Sequence, residues 1–104
     1  MNNPYWRHGL LAGPLTFRRL VGLIPAAEYD RKTSPERFTL REAAAHMADW
    51  EPILRERLRA AVETPGAQIE AYDESERAIQ QNYQATDPVA EAERWQLERD
   101  ETVS

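Results

Sequence analysis

The residues best suited to chemistry lie together in the stretch 38–51, which reads FTLREAAAHMADWE. It contains His46, Asp49 and Glu51, whose imidazole and carboxylate groups bind divalent metals and transfer protons. A lone histidine is a weak signal, because neither H-E-x-x-H nor H-x-x-x-H occurs in the chain. Two interpretations of His46 therefore stay open. It is either a metal ligand or a partly exposed residue at the boundary of a helix face that binds nothing.

Three carboxylates accompany His46 in this stretch. Glu42 precedes His46 by four residues and Asp49 follows it by three, so on a helix either one is placed to hydrogen-bond the imidazole and fix its tautomer. Glu51 falls near the predicted buried face, where a carboxylate needs a partner. Either Pro52 bends the helix and lets Glu51 reach water or a loop amide, or Glu51 is an acid inside a pocket.

These residues are carried by a predicted helix with a clear start and stop. Thr39 and Glu42 form the T-x-x-E pattern of a capping box. The segment Thr64-Pro65-Gly66 should end the helix, and Pro52 should kink it. The spacing predicts one buried stripe, made of Leu40, Ala44, Met47, Leu54, Leu58 and Ala61.

The rest of the chain predicts further helices and no strands. Apolar residues over 10–24 predict a first helix that starts near Pro14 and ends at Pro25. Residues 73–83 (DESERAIQQNY) predict a short polar helix. Asp87 suits the N-cap and Pro88 the first turn, so the pair predicts the start of another helix. That helix should bury four apolar residues: Val89, Ala92, Trp95 and Leu97. The predicted class is all-α.

Composition limits the classes of function. A chain of 104 residues predicts a single domain, residues 1–104. The net charge of −5 argues against a nucleic-acid partner. The absence of cysteine excludes thiolate metal sites and a cysteine nucleophile. With no apolar run long enough to span a bilayer and no signal-like start, we expect a cytoplasmic protein without a membrane partner.

The stretch FTLREAAAHMADWEPILRERL resembles the second-helix signature of the DinB-like (YfiT-type) metalloenzyme superfamily. That signature has an aromatic residue, a Ser or Thr cap and then a His-Leu-x-Asp-x-Glu run. LTFRRLVGLIPAAEYDRK resembles the first helix of the family. YDESERAIQQNYQATDPVAEAERW resembles the segment that leads into its third long helix. The resemblance covers about residues 14–97, and its most specific part is the run from His46 to Glu51.

The resemblance implies a four-helix bundle that holds a divalent metal, commonly nickel or zinc, with three histidines. The first of these aligns with His46, and the other two form H-x-x-x-H on a fourth long helix. Members of the family are assigned as metal-dependent hydrolases, thiol S-transferases or maleylpyruvate-isomerase-like enzymes. In such a site the metal would polarise a carbonyl or lower the pKa of bound water or thiol.

This sequence departs from the family because the H-x-x-x-H helix is missing from it. We therefore expect an up-down bundle that lacks its last helix, an incomplete metal site with His46 as its one assigned ligand, and no assigned catalytic residue or substrate. An uncovered apolar stripe predicts a homodimer in which the second helix packs against its copy, which would bring two copies of His46 close together. Two alternatives stay open: a non-catalytic interaction module, or a longer enzyme whose remaining ligands follow Ser104.

Overall fold

Three long helices and one short helix form the fold. The computed structural model describes residues 5–32, 37–66 and 74–104, and within these ranges the side chains of 5–7 and 74–75 are left out. The helices are α1 (Tyr5–Leu23), α2 (Leu40–Glu63), α3 (Glu74–Gln80) and α4 (Pro88–Val103). Short 3₁₀ turns lie at Ala26–Glu28 and Tyr83–Ala85. The described ranges contain no strand, which confirms the all-α class.

The start and stop of α2 follow the predicted signals. The Thr39 hydroxyl accepts a hydrogen bond from the Glu42 amide, and the Glu42 carboxylate accepts one from the Thr39 amide, each at 3.1 Å. The helix ends at Glu63, before Gly66 takes a left-handed φ of +86°. The helix continues through Pro52 without a break.

The first helix is longer than predicted. It begins at Tyr5 rather than near Pro14, so Pro14 lies inside it and is fully buried. Since proline has no N–H, the helix cannot satisfy the carbonyl of Leu10 in the usual way. The Arg99 guanidinium of α4 donates a hydrogen bond to that carbonyl at 3.0 Å, which supplies a partner from a neighbouring helix.

The long helices are arranged around α4, which packs against both α1 and α2, whereas α1 and α2 scarcely touch each other. Bonds from Arg18 to Gln96 and from Arg99 to Leu10 show that α1 and α4 are antiparallel. Bonds from Arg41 to Thr86 and from Arg55 to Glu98 show that α2 and α4 are parallel. Thus α1 and α2 follow the up-down pattern, and the chain crosses back before α4.

The buried face of α2 agrees with the predicted stripe at Ala44 and departs from it at the leucines. The fully buried apolar residues of this helix are Ala44, Ala45 and Ala48, while Leu54 and Leu58 are 42% and 51% exposed. The observed face is rotated by roughly 110° from the predicted one on a helical wheel of about 100° per residue. It is lined by alanines and by Glu51, whose carboxylate binds side chains of α4.

The buried face of α4 agrees with the prediction at two of four positions. Ala92 and Trp95 are buried, whereas Val89 and Leu97 are exposed.

No helix in the described ranges is both long enough and apolar enough to cross a bilayer. The radius of gyration is 15.1 Å, which exceeds the ~13 Å of a compact domain of this length.

Candidate functional site

The three candidate residues of α2 point in three directions. On a helix, His46 and Asp49 are separated by about 60° around the axis, and Glu51 lies about 140° from His46 and about 160° from Asp49. Glu51 points toward α4, Asp49 toward α3 and the turn after it, and His46 toward a group of aromatic rings. The HMADWE run therefore does not form one converging site, although His46 and Asp49 both lie beside Tyr83.

Glu51 lies at the centre of the bundle, where it is 2% exposed. Its carboxylate accepts hydrogen bonds from the Trp95 indole at 3.0 Å and the Thr102 hydroxyl at 2.8 Å. The Arg99 guanidinium approaches both carboxylate oxygens at 2.9 Å. The expectation that Glu51 needs a partner is confirmed. The alternative in which it reaches water is wrong, because the partners are side chains of α4.

Arg99 joins the three long helices at one point. It binds Glu51 of α2 and the carbonyl of Leu10 in α1, and its guanidinium lies 5.5 Å from the centre of the Trp95 ring. Burial raises the pKa of Glu51, but the hydrogen bonds from Arg99, Thr102 and Trp95 and the positive charge of Arg99 outweigh it. The pKa of Glu51 is therefore below its ordinary value, and the carboxylate is ionised.

Asp49 fixes the region after α3 to the bundle. Arg77 of α3 donates two hydrogen bonds to its carboxylate, at 2.5 and 2.8 Å, and the buried Tyr83 hydroxyl donates a third at 2.5 Å. Burial raises the pKa of Asp49, but these hydrogen bonds and the charge of Arg77 lower the pKa by more, so the net shift is downward. Burial and the neighbouring Asp49 raise the pKa of Tyr83 above its ordinary value. Asp49 is a structural anchor.

His46 is half-buried among aromatic rings. Its ring centre lies 5.4 Å from that of Phe38, 5.5 Å from that of Trp50 and 6.3 Å from that of Tyr83. The Arg57 guanidinium lies 5.6 Å from the Trp50 ring. This environment fits the prediction that His46 is at the edge of a packed helix face, and it leaves the metal-ligand interpretation as a prediction.

The described part of the chain does not provide a metal site around His46. No group of three or more His, Cys, Asp or Glu side chains in it is arranged to hold an ion. The two carboxylates expected to support His46 have other partners, since Glu42 caps α2 and Asp49 binds Arg77 and Tyr83. A zinc site normally needs three protein ligands. The donor set within these residues therefore does not fit a resident metal ion.

A small polar cavity lies beside Asp49. It has a volume of about 60 Å³, and its lining residues are Ala45, Asp49, Gln81, Tyr83, Thr86, Glu91 and Arg94. This is room for roughly two water molecules, at about 30 Å³ each. It is far below the ~300 Å³ of a typical ligand pocket.

The residues that sequence reasoning missed are the partners of the two carboxylates. Arg99 and Thr102 continue the face of α4 that begins with Ala92 and Trp95, at spacings of three, four and seven residues. Polar residues on a buried helix face indicate that a polar side chain of a neighbouring helix binds them. Arg77 and Tyr83 carried no comparable signal, because their positions depend on a turn at Asn82, which takes a left-handed φ of 53°.

No known protein family, curated protein or solved structure matches this chain.

Proposed function

We propose that the protein is a DinB-like helical-bundle domain that binds a divalent metal ion through His46, with the remaining ligands supplied from outside the described residues. The observation that carries the proposal is the arrangement of the helices. Because α4 contacts both α1 and α2 while those two scarcely touch, the long helices occupy three corners of a four-helix bundle. This arrangement agrees with a bundle that lacks its fourth helix, although the parallel direction of α2 and α4 departs from the up-down order that the resemblance implied.

The position of His46 supports the proposal within that arrangement. It lies on α2, on the flank away from the alanines that contact α4, and it is half-buried. Asp49 and Glu51 are bound to arginines, and His46 is the residue that the family resemblance aligns with the first metal ligand. The family resemblance names nickel or zinc. The described residues assign no reaction and no substrate.

The metal content of purified protein tests this proposal. Protein made without a histidine tag, loaded with nickel or zinc and desalted, should retain metal, and the His46→Ala variant should retain at least tenfold less. The chain has two histidines, so His8→Ala is the matched control and should behave like the wild type. Equal metal content in the wild type and His46→Ala would remove His46 from the proposal.

A second candidate function is a non-catalytic association module, which the exposed leucines of α2 favour. In that case the aromatic rings and apolar stripe serve packing only, and His46 binds nothing. Two variants separate the candidates. If association is the function, Leu58→Gln changes the solution mass and His46→Ala leaves it unchanged. If metal binding is the function, His46→Ala lowers the metal content and Leu58→Gln leaves it unchanged.

A further inference from the structure

The first helix can begin at either of two positions. In the structure α1 begins at Tyr5 and runs through Pro14. Proline also suits the first turn of a helix, because its missing N–H is not needed there and its φ is already helical. Glycine is accepted at the position before that turn, so the pair Gly13-Pro14 is a complete start signal by itself. The sequence therefore encodes a shorter helix, residues 14–23, inside the longer one.

The part of α1 before Pro14 is intrinsically a weak helix. It contains Gly9 and Gly13, and each lowers helix stability relative to alanine because glycine has more backbone freedom to lose. Pro14 removes a further hydrogen bond, the one that the Leu10 carbonyl would accept. Residues 8–10 are exposed, so their side chains contribute little burial to offset these losses.

The part of α1 after Pro14 is held firmly on α4. Pro14 and Val21 are buried. The Phe17 ring meets the Trp95 ring of α4 edge-on, with 5.5 Å between the ring centres. Because these contacts do not involve the turns before Pro14, residues 14–23 can stay packed when those turns unfold.

One side chain of α4 ties the first turns of α1 to the bundle. The Arg99 guanidinium donates a hydrogen bond at 3.0 Å to the Leu10 carbonyl, which is the carbonyl that Pro14 leaves without a helical donor. We propose that residues 5–13, which we call the strap, open as a unit about Gly13-Pro14 while residues 14–23 stay packed. Arg99 is the latch that holds the strap closed.

Opening of the strap changes the polar group at the bundle centre. Arg99 also binds the buried Glu51 carboxylate. When the strap opens, the Leu10 carbonyl leaves the guanidinium, and one N–H of Arg99 becomes available to water or to another carbonyl oxygen. The strap therefore controls access to Arg99 without unfolding of the core formed by the three long helices.

Hydrogen exchange of single backbone amides, measured by NMR and corrected for intrinsic rates, tests the strap. The amides of residues 10–13 form helical bonds inside the strap, whereas those of 18–21 bond to carbonyls from Pro14 onward. In the wild type, amides 10–13 should exchange roughly tenfold faster or more, because local opening needs less free energy than unfolding of the whole helix. Equal rates in the two groups would overturn the proposal, because α1 would then open as one unit.

A matched pair of glycine substitutions tests the hinge. Gly9 lies in the strap and Gly22 in the packed part, and a Cβ at either position would meet no atom of the described residues within 4 Å. Gly9→Ala should slow the exchange of amides 10–13 about fivefold, because alanine stabilises a helix interior relative to glycine. Gly22→Ala should leave these amides unchanged. If both variants slow amides 10–13 to the same degree, there is no hinge at Pro14.

Two substitutions in the buried pair test the latch. Arg99→Gln removes the bond to Leu10 and the pair with Glu51, whereas Glu51→Gln removes the pair and keeps the bond. Arg99→Gln should speed the exchange of amides 10–13 roughly tenfold or more, since a hydrogen bond from a charged donor is lost. Glu51→Gln should leave these amides unchanged and speed amides 18–21, because it lowers the stability of the whole fold.

The latch is assigned wrongly if amides 10–13 exchange at the wild-type rate in Arg99→Gln, or equally fast in Arg99→Gln and Glu51→Gln. Circular dichroism checks that both variants are helical. Arg99→Lys replaces Arg99→Gln if that variant does not fold, because a single ammonium group does not reproduce the fork of donors that reaches both acceptors. The glycine pair leaves Arg99 intact, so it tests the hinge independently of the latch.

Discussion

At the scale of single residues, two polar groups in the interior need a hydrogen-bond partner: one backbone carbonyl and one side-chain carboxylate. Pro14 leaves the Leu10 carbonyl without its helical partner, and Glu51 places a carboxylate in the bundle centre. Arg99 satisfies both, with bonds of 3.0 Å to the carbonyl and 2.9 Å to the carboxylate. This one side chain therefore fixes the mutual positions of three helices.

Removing the charge of Glu51 should destabilise the fold. In Glu51→Gln, Arg99 stays buried against α2 without a counter-charge, and breaking a buried pair in this way lowers the free energy of unfolding by about 3 kcal/mol. Urea denaturation followed by circular dichroism measures it. Glu63→Gln is the control on the same helix, and as an exposed site it should change stability by less than about 0.5 kcal/mol. Equal midpoints for the two variants would contradict the role of Glu51.

The same carboxylates predict how stability depends on pH. Asp49 and Glu51 have pKa values below their ordinary values of 3.8 and 4.5, so the unfolded chain binds protons more readily than the folded one. Their contribution is fully present above about pH 5 and is lost as the pH falls through the ordinary pKa values toward the lower folded ones. Urea midpoints between pH 3 and 6 measure it. The double variant Asp49→Asn/Glu51→Gln should show a flatter profile, and a wild-type midpoint that rises on acidification would contradict it.

At this scale the sequence predicted that the Glu51 carboxylate needs a partner, but it did not predict that the partner is Arg99. The wheel position of Glu51 predicted that it must be paired. The pairing with Arg99 joins residues 48 positions apart, so it depends on the register between α2 and α4. That register is set by packing and cannot be read from periodicity along one helix.

At the scale of elements, α2 has two candidate core faces. The leucine face is more apolar, and for that reason it was predicted as the core. The alanine face is the one that α4 covers, because small side chains allow close approach and because Glu51 and Arg55 find partners on α4. The cap at Thr39 was predictable since it depends on four adjacent residues, whereas the choice of face depends on another helix.

The short helix α3 should depend on one ion pair. Among its described contacts, Arg77 to Asp49 is the bond that reaches α2, and the helix packs broadly against none of the long helices. In Arg77→Gln, hydrogen exchange of the amides in 76–83 should become roughly tenfold faster or more, since a charged hydrogen bond contributes about 1.5–3 kcal/mol. Arg59→Gln, which breaks the exposed pair with Glu56, should leave these amides unchanged. Unchanged exchange in Arg77→Gln would show that other contacts hold α3.

At the scale of the whole molecule, the three long helices occupy three corners of a bundle, and among the described residues no further long helix fills the fourth, open corner. Leu54 and Leu58 of α2 are about half exposed, and the chain is less compact than expected for its length. The all-α class was predictable from periodicity and is confirmed. The parallel direction of α2 and α4 was not, because it depends on the path of the chain between them.

The solution mass of the wild-type protein tests the central claim, that the open corner is covered by a second copy. Sedimentation equilibrium from about 1 to 300 µM should show the average mass rising reversibly from the 12.0 kDa of one chain toward twice that value, with a midpoint in the micromolar range. A folded protein that keeps the mass of a single chain over the whole range would contradict the account.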